Sequence, residues 1–239
     1  MSAGNETIEL MQKQSSSEKR PNVLDPITPD DIGVRSQRQR IIEAMVSSCA
    51  EKTYPATTIT DIVSRASVSR TTFYKRFSGK RDCFDAALDF CIEEVRAVAG
   101  ASCSGADSPP EAVRKTTAAL LELMAARPAL AQLLAAEAVS VDPSVVTRYR
   151  RLLIPALEAL FDAGGGQRLP HTNPELAFSR AQLLIFNQIA AGHAERLPEL
   201  YPEMVYLALA PFAGHDEAVR QAQIAAQGYG SEDAPDGDR

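Results

Sequence analysis

Apolar residues recur with the period of an amphipathic α-helix from about residue 36 to residue 227, and Pro or Gly interrupts the pattern at short intervals. Runs of β-branched residues are short, while Ala, Leu, Glu, Arg and Gln are abundant, which favours helices over strands. The sequence therefore predicts an all-α fold. In its larger part the predicted helices span about 109–126, 128–139, 143–163, 174–194 and 198–213, with a short helix at about 216–227.

Two short helices joined by a tight turn are predicted near the N-terminus, after a first helix from about 36 to 52. Thr58 is suited to cap the first of the two, because Asp61 follows at the spacing of a capping box. Ser67-Val68 forms the turn, and Ser69 caps a second short helix from Arg70 to Phe77. This arrangement predicts a three-helix helix-turn-helix domain over residues 35–82.

The second short helix separates an apolar face from a polar one. Phe73 and Phe77 fall on one side at about 100° per residue and are expected to face the core. Such a helix fits the major groove of DNA, where Arg and Lys donate to guanine and a Thr methyl contacts thymine. The outward residues are predicted to be Arg70, Thr71, Thr72 and Lys75, with Tyr74 beside them.

Charge is distributed unevenly along the chain. The net charge is −6, yet residues 35–81 hold ten basic and three acidic residues, so that this window carries +7 and the remainder −13. A basic patch on an acidic body suits phosphate binding, because the remainder repels DNA elsewhere. A solvated basic face is the alternative interpretation of the charge alone. Arg35, Arg38 and Arg40 crowd the expected start of the first helix, the wrong sign for its dipole, and nearby DNA phosphate would explain them.

The stretch from Ile41 to Leu88 resembles the DNA-binding domain of the TetR family of bacterial transcription regulators. The matching residues are Ile41-Ile42-Glu43-Ala44, Ala50-Glu51-Lys52, Tyr54-Pro55-Ala56-Thr57-Thr58-Ile59, Asp61-Ile62, Ala66, Val68-Ser69-Arg70, Thr72-Phe73-Tyr74, Phe77 and Lys80. The resemblance implies that Thr58, Ser69, Tyr74 and Lys80 hold phosphates. It also implies that Thr60, Arg70, Thr71, Thr72 and Lys75 face the groove.

Three positions depart from the family pattern. The family usually has Gly where Ser67 precedes the Val of the turn, and it favours Gly at the position of Thr53. A Phe is common where Cys49 stands. A residue other than Gly in a left-handed conformation costs on the order of 1–2 kcal/mol, so Ser67 is the least expected residue of the motif.

The resemblance further implies that residues 83–227 form a helical effector-binding and dimerisation domain. Broad apolar surfaces on the predicted helices 174–194 and 198–213 favour a homodimer, with ordinary packing inside one chain as the alternative. The expected interface consists of Ala181, Leu184, Ile185, Ile189, Met204, Leu207, Ala208 and Phe212. A pocket for a small, apolar effector is expected among Leu120, Met124, Leu133, Tyr149, Leu153, Leu157, Phe161, Phe178 and Phe186, although each is also typical of plain core.

Together with these patterns, the resemblance implies a ligand-responsive repressor that binds a palindromic operator as a homodimer and is released by a small, apolar effector. An enzyme is the main alternative, but the sequence lacks the G-x-S-x-G, H-E-x-x-H, P-loop and dinucleotide patterns. His171, His193 and His215 do not have metal-ligand spacing, and no cofactor or metal is expected. A ligand-binding module whose helix-turn-helix no longer works is a further alternative.

The two ends of the chain have compositions typical of tails. Residues 1–34 are polar with three Pro and are predicted to be flexible, and residues 228–239 are predicted to be a disordered acidic tail. No apolar stretch approaches the length of a membrane span, and no signal pattern is present. The four cysteines lack C-x-x-C spacing. We therefore expect a cytoplasmic protein with reduced thiols and no membrane partner.

Overall fold

The computed structural model describes residues 29–142 and 173–229, together with the separate positions 151, 154, 155 and 158 between them. Every regular element in these residues is helical, which confirms the predicted all-α fold. The elements are α1 (Pro29–Lys52), α2 (Ile59–Ala66), α3 (Arg70–Tyr74), α4 (Lys80–Cys103), α5 (Pro109–Ala126), α6 (Pro128–Gln132), a π-helical segment (Leu133–Glu137), α7 (Ala138–Val141), α8 (Pro174–Ala190), a 3₁₀-helix (Ala194–Leu200), α9 (Tyr201–Ala213) and α10 (His215–Tyr229).

Local capping determines several helix starts. Ser108 accepts a hydrogen bond from the backbone N–H of Glu111 at the start of α5, and Pro109 follows the cap directly. Asn173 caps α8 in the same way, by accepting from the N–H groups of Glu175 and Leu176. The α5 bounds are those that the sequence predicts, because cap and Pro are local signals.

Other bounds differ from the predictions. α1 begins at Pro29 and not near residue 36, so Arg35, Arg38 and Arg40 lie inside the helix and do not crowd its start. The dipole argument for these three residues is therefore wrong. The predicted helix 198–213 begins instead as a 3₁₀-helix that contains Pro198, and α-helical structure starts only at Tyr201. The predicted helix 143–163 lies outside the continuous described ranges, and so do both predicted tails apart from residues 29–34 and 228–229. Those residues are helical, in α1 and α10, and not part of a flexible tail.

Three buried apolar clusters hold the helices together. The first joins the helix-turn-helix to the middle of the chain, since it contains buried residues between Ile41 and Ile92 together with Leu130, Leu133, Leu134 and Ala138. The second forms where α5 meets α9 and α10, and the third joins α5, α6, α8 and the 3₁₀-helix. The predicted domain boundary after residue 82 falls within α4, whose buried face belongs to the first cluster.

Among the described residues no single helix combines the length and apolar character needed to cross a membrane. The two consecutive segments Pro109–Ala126 and Pro128–Val141 together have the necessary length and apolar character, but the chain bends by 104° between them.

Candidate nucleic-acid interface

The start of α2 is fixed by a reciprocal cap. The Thr58 hydroxyl accepts from the Asp61 N–H at 3.2 Å, and the Asp61 carboxylate accepts from the Thr58 N–H at 2.9 Å. Lys52 donates to the same carboxylate at 2.6 Å. The hydrogen bonds from Lys52 and then from Thr58 lower the pKa of Asp61 below its usual range. The capping role predicted for Thr58 and Asp61 is thereby confirmed, and Thr58 remains exposed at the surface.

The turn between α2 and α3 places a non-glycine residue in a left-handed conformation. Ser67 has φ 52° and ψ 48°, and its N–H bonds the carbonyl of Ser64 at 3.2 Å. Thr53, which follows α1, also has a positive φ of 68°. These are the two positions at which the TetR family favours Gly. The backbone is therefore left-handed at both, although neither residue is the Gly that adopts this conformation without strain.

α3 is the helix predicted to enter the major groove (the predicted recognition helix), and its aromatic residues and its cap anchor it. The Ser69 hydroxyl accepts from the Thr72 N–H at 3.0 Å, as predicted. Phe73 is fully buried and Phe77 is 3% exposed, with ring centroids 5.7 Å apart. Regular α-helix ends at Tyr74, three residues before the predicted end, although Phe77 still bonds the Phe73 carbonyl at 2.9 Å. The core-facing side of the helix is therefore the predicted one.

The opposite side of α3 is open to solvent. Arg70, Thr71, Tyr74 and Lys75 are exposed, and Tyr74 keeps 57% of its surface accessible. Thr72 is half-buried, and its hydroxyl lies 2.9 Å from that of Ser69. The side chain of Thr72 therefore takes part in the cap as well as lying beside the exposed face.

Arg70 and Lys80, which are both predicted to contact DNA, donate hydrogen bonds to other residues of the chain. The Arg70 guanidinium donates to the hydroxyl of the exposed Thr60 at 2.6 Å. Lys80 Nζ donates to the carbonyls of Tyr54 and Thr57, each at 2.9 Å, and lies 4.4 Å from the centre of the Tyr54 ring. Lys80 thus ties α4 to the turn after α1, a role that sequence reasoning missed, and its phosphate contact stays a prediction.

Arg38 is a further cation near α3, and it is not among the residues that the motif predicts to contact DNA. It is exposed, and its guanidinium carbon lies 5.3 Å from the centre of the Phe77 ring. This cation–π contact places the Arg38 side chain of α1 next to Phe77, just after the C-terminal end of α3. Residues 38 and 77 are far apart in sequence, so helical periodicity gives no signal for it.

The residues predicted for a dimer interface already pack within one chain to a large extent. Ile189, Leu207 and Phe212 are buried, and Ile185, Met204 and Ala208 contact the buried clusters. Ala181 and Leu184 are half-buried. The large apolar side chains that α8 leaves exposed are instead Leu176, Leu183 and Phe186.

The predicted pocket residues are only partly described. Leu120, Met124 and Phe178 are half-buried, Leu133 is fully buried and Phe186 is 39% exposed. Met124 packs against both the first and the third cluster. Tyr149, Leu153, Leu157 and Phe161 lie outside the described residues. The pocket therefore stays a prediction.

The fold and the exposed α3 face define a helix-turn-helix DNA-binding protein. Residues 41–87 match the sequence profile of the bacterial regulatory proteins of the tetR family. The match covers about a fifth of the chain, and it identifies residues 41–87 as a DNA-binding domain of the tetR type. No curated protein matches the chain in sequence.

Several solved structures share the fold over most of the chain. The fatty acid degradation regulator FadR from Bacillus halodurans is 19% identical, with a TM-score of 0.62 over 72% of this chain and 94% of its own. A gamma-butyrolactone receptor (ArpA like protein) is 19% identical, with a TM-score of 0.62 over 82% and 97%. FadR from Bacillus subtilis, in complex with stearoyl-CoA, is 17% identical, with a TM-score of 0.54 over 72% and 98%. At these identities the similarity establishes the shared fold alone.

Proposed function

We propose that this protein is a ligand-responsive repressor that binds a palindromic operator as a homodimer in the cytoplasm and is released by a small, apolar effector. The observation that carries the DNA-binding part is the exposed face of α3, held outward by the buried rings of Phe73 and Phe77. Arg70 and Lys75 lie at the two ends of this face, and the hydroxyls of Thr71 and Thr72 lie between them. Such side chains are suited to contact base edges.

Operator binding is tested by selecting duplexes from a random pool with the purified protein and measuring affinity at several salt concentrations. We expect a two-fold symmetric sequence to be enriched, with half-sites about one helical turn apart, roughly 34 Å. Binding should fall steeply with salt, because phosphate contacts release counterions. Enrichment of no sequence, with salt-insensitive binding, would contradict the proposal and favour a module that binds ligand without DNA.

The proposed dimer uses the apolar face that α8 leaves exposed. Leu176, Leu183 and Phe186 are 70%, 56% and 39% exposed, and their spacing puts them on one side of the helix. Pairing this face with its copy would remove it from water. Sedimentation should show a dimer at micromolar concentration, and Leu183→Asp should shift it toward monomer. Ser104→Asp adds the same charge at an exposed position and should leave the dimer intact; a monomeric unmodified protein would refute the proposal.

The proposed effector is apolar because the predicted lining residues that the structure describes are apolar: Leu120, Met124, Leu133, Phe178 and Phe186. The similar FadR structure holds stearoyl-CoA and another similar structure is a gamma-butyrolactone receptor, so these two chemical classes are the first probes. An effector that releases DNA must bind the released state more tightly than the bound state. Stearoyl-CoA or a γ-butyrolactone should raise the melting temperature and weaken operator binding, whereas coenzyme A alone serves as the control.

A further inference from the structure

A buried carboxylate from the middle of the chain contacts the helix-turn-helix. Glu137, the last residue of the π-helical segment, is 4% exposed, and its Oε2 accepts from the Tyr54 N–H at 2.6 Å. A buried carboxylate is costly unless hydrogen bonds satisfy it. The bond therefore joins two parts of the fold that lie 83 residues apart in sequence.

The turn that Glu137 contacts leads directly into the DNA-binding helices. Lys80 holds the same turn from its carbonyl side, at Tyr54 and Thr57. Thr57 is 1% exposed, and its hydroxyl donates to the Thr53 carbonyl at 2.8 Å and the Ser48 carbonyl at 3.1 Å. Thr58, the cap of α2, is the next residue. A displacement of this turn would thus be passed to α2 and to the α3 face beyond it.

The segment that carries Glu137 interrupts the α-helical register. Leu133–Glu137 is π-helical between the α-helical segments α6 and α7. A π-helical segment accommodates an extra residue within a helix, and such segments are frequent at functional sites. The segment contacts α1, α4 and α8, and it begins at the buried Leu133. It therefore lies between the proposed effector region and the helix-turn-helix.

We propose that Glu137 is the positioning residue through which the C-terminal helices control the DNA-binding domain, by making or breaking its bond to Tyr54. The regulatory meaning of this link rests on the proposed function. The contact itself is a property of the protein without DNA, so the two are tested separately.

Hydrogen exchange at the Tyr54 amide tests the contact. In Glu137→Ala the Tyr54 N–H loses its acceptor and should exchange at least about tenfold faster, while the Phe73 amide in α3 keeps its protection. Glu137→Gln retains an acceptor oxygen and should restore slow exchange. Glu122→Gln, on the exposed side of α5, is the matched control. Unchanged Tyr54 exchange in Glu137→Ala would overturn the proposal, whatever DNA binding shows.

Operator affinity tests the coupling. Glu137→Ala should weaken binding to the selected operator about tenfold, and Glu137→Gln should stay within about threefold of the unmodified protein. Faster Tyr54 exchange with full operator affinity would overturn the coupling. Failure of the unmodified protein to bind any duplex would instead reject the proposed function, and the exchange result would still decide whether Glu137 holds the turn.

Discussion

Arg70 donates from its guanidinium to the hydroxyl of Thr60 at 2.6 Å, so the first residue of the recognition helix is tied to the first turn of the preceding helix. Both residues are exposed and both are predicted to face the groove. An Arg that contacts guanine must present its N–H groups to the base edge. The bond to Thr60 therefore holds Arg70 in place before DNA arrives, and it has to rearrange or be shared when a base is contacted.

Replacing Arg70 should relax operator specificity at one base pair. Arg70→Ala is expected to cost about 1–3 kcal/mol of binding at the preferred base and much less at the other three. Thr60→Val removes only the partner hydroxyl and should weaken binding slightly while preserving the preference. Titrations against the operator and its single-base variants measure both effects. An equal loss for every sequence in Arg70→Ala would show that Arg70 contacts phosphate and not a base.

Replacing Ser67 by Gly should stabilise the domain. Ser67 has φ 52°, a conformation that Gly adopts without strain, so we expect a gain of about 1 kcal/mol in the free energy of unfolding. Thr53→Gly, at φ 68°, should act in the same direction. Ser64→Gly, inside α2, should instead lose about 0.5–1 kcal/mol. Urea denaturation measures all three, and a destabilising Ser67→Gly would contradict the assigned strain.

Tyr74 and Lys80 should both support DNA binding, but only Lys80 should also affect stability. Tyr74→Phe removes an exposed hydroxyl and is expected to weaken binding to all sequences with no change in melting temperature. Lys80→Ala should reduce the salt slope of binding by about 0.9, and it leaves the carbonyls of Tyr54 and Thr57 without their cation. Its melting temperature should therefore fall. An unchanged salt slope would mean that Lys80 acts within the protein alone.

Short-range signals account for what the sequence predicts well. Thr58 with Asp61, Ser69 with Thr72, and Ser108 before Pro109 each set a helix start within a few residues. The buried side of α3 follows from helical periodicity in the same way. These features locate the predicted DNA-binding face, because that face lies opposite the buried side of α3.

Contacts between distant residues account for what the sequence does not reveal. The bond of Glu137 to Tyr54 spans 83 residues, and Lys80 bonds Tyr54 across 26. Periodicity shows that a helix has an apolar face without showing what covers it. Phe212 illustrates this limit. It is predicted for a dimer interface, but its helix, α9, packs on α5 and α10 within the chain.

Acid should remove the stabilising contribution of Asp61. Its folded pKa is lowered, chiefly by Lys52 and Thr58, so the contribution is present above the usual carboxyl value of about 3.9 and is lost as pH falls toward the folded value. Asp61→Asn should therefore be less stable than the unmodified protein at pH 7, with the difference shrinking near pH 3. The pair is exposed, so high salt should reduce the effect. Asp107→Asn, in the loop before α5, is the control; an equal difference at both pH values would contradict the argument.

The thiols should differ sharply in reactivity. Cys49, Cys83 and Cys91 are buried, and burial raises their pKa to about 11, 12 and 12, whereas Cys103 is exposed. At pH 8 a thiol with a pKa near 12 is ionised to only about one part in 10,000, and the thiolate is the reactive form. A disulfide reagent should therefore titrate one thiol in the folded protein and four in denaturant. Cys103→Ser should abolish the reaction of the folded form; rapid labelling of that variant would show that the first cluster opens to solvent.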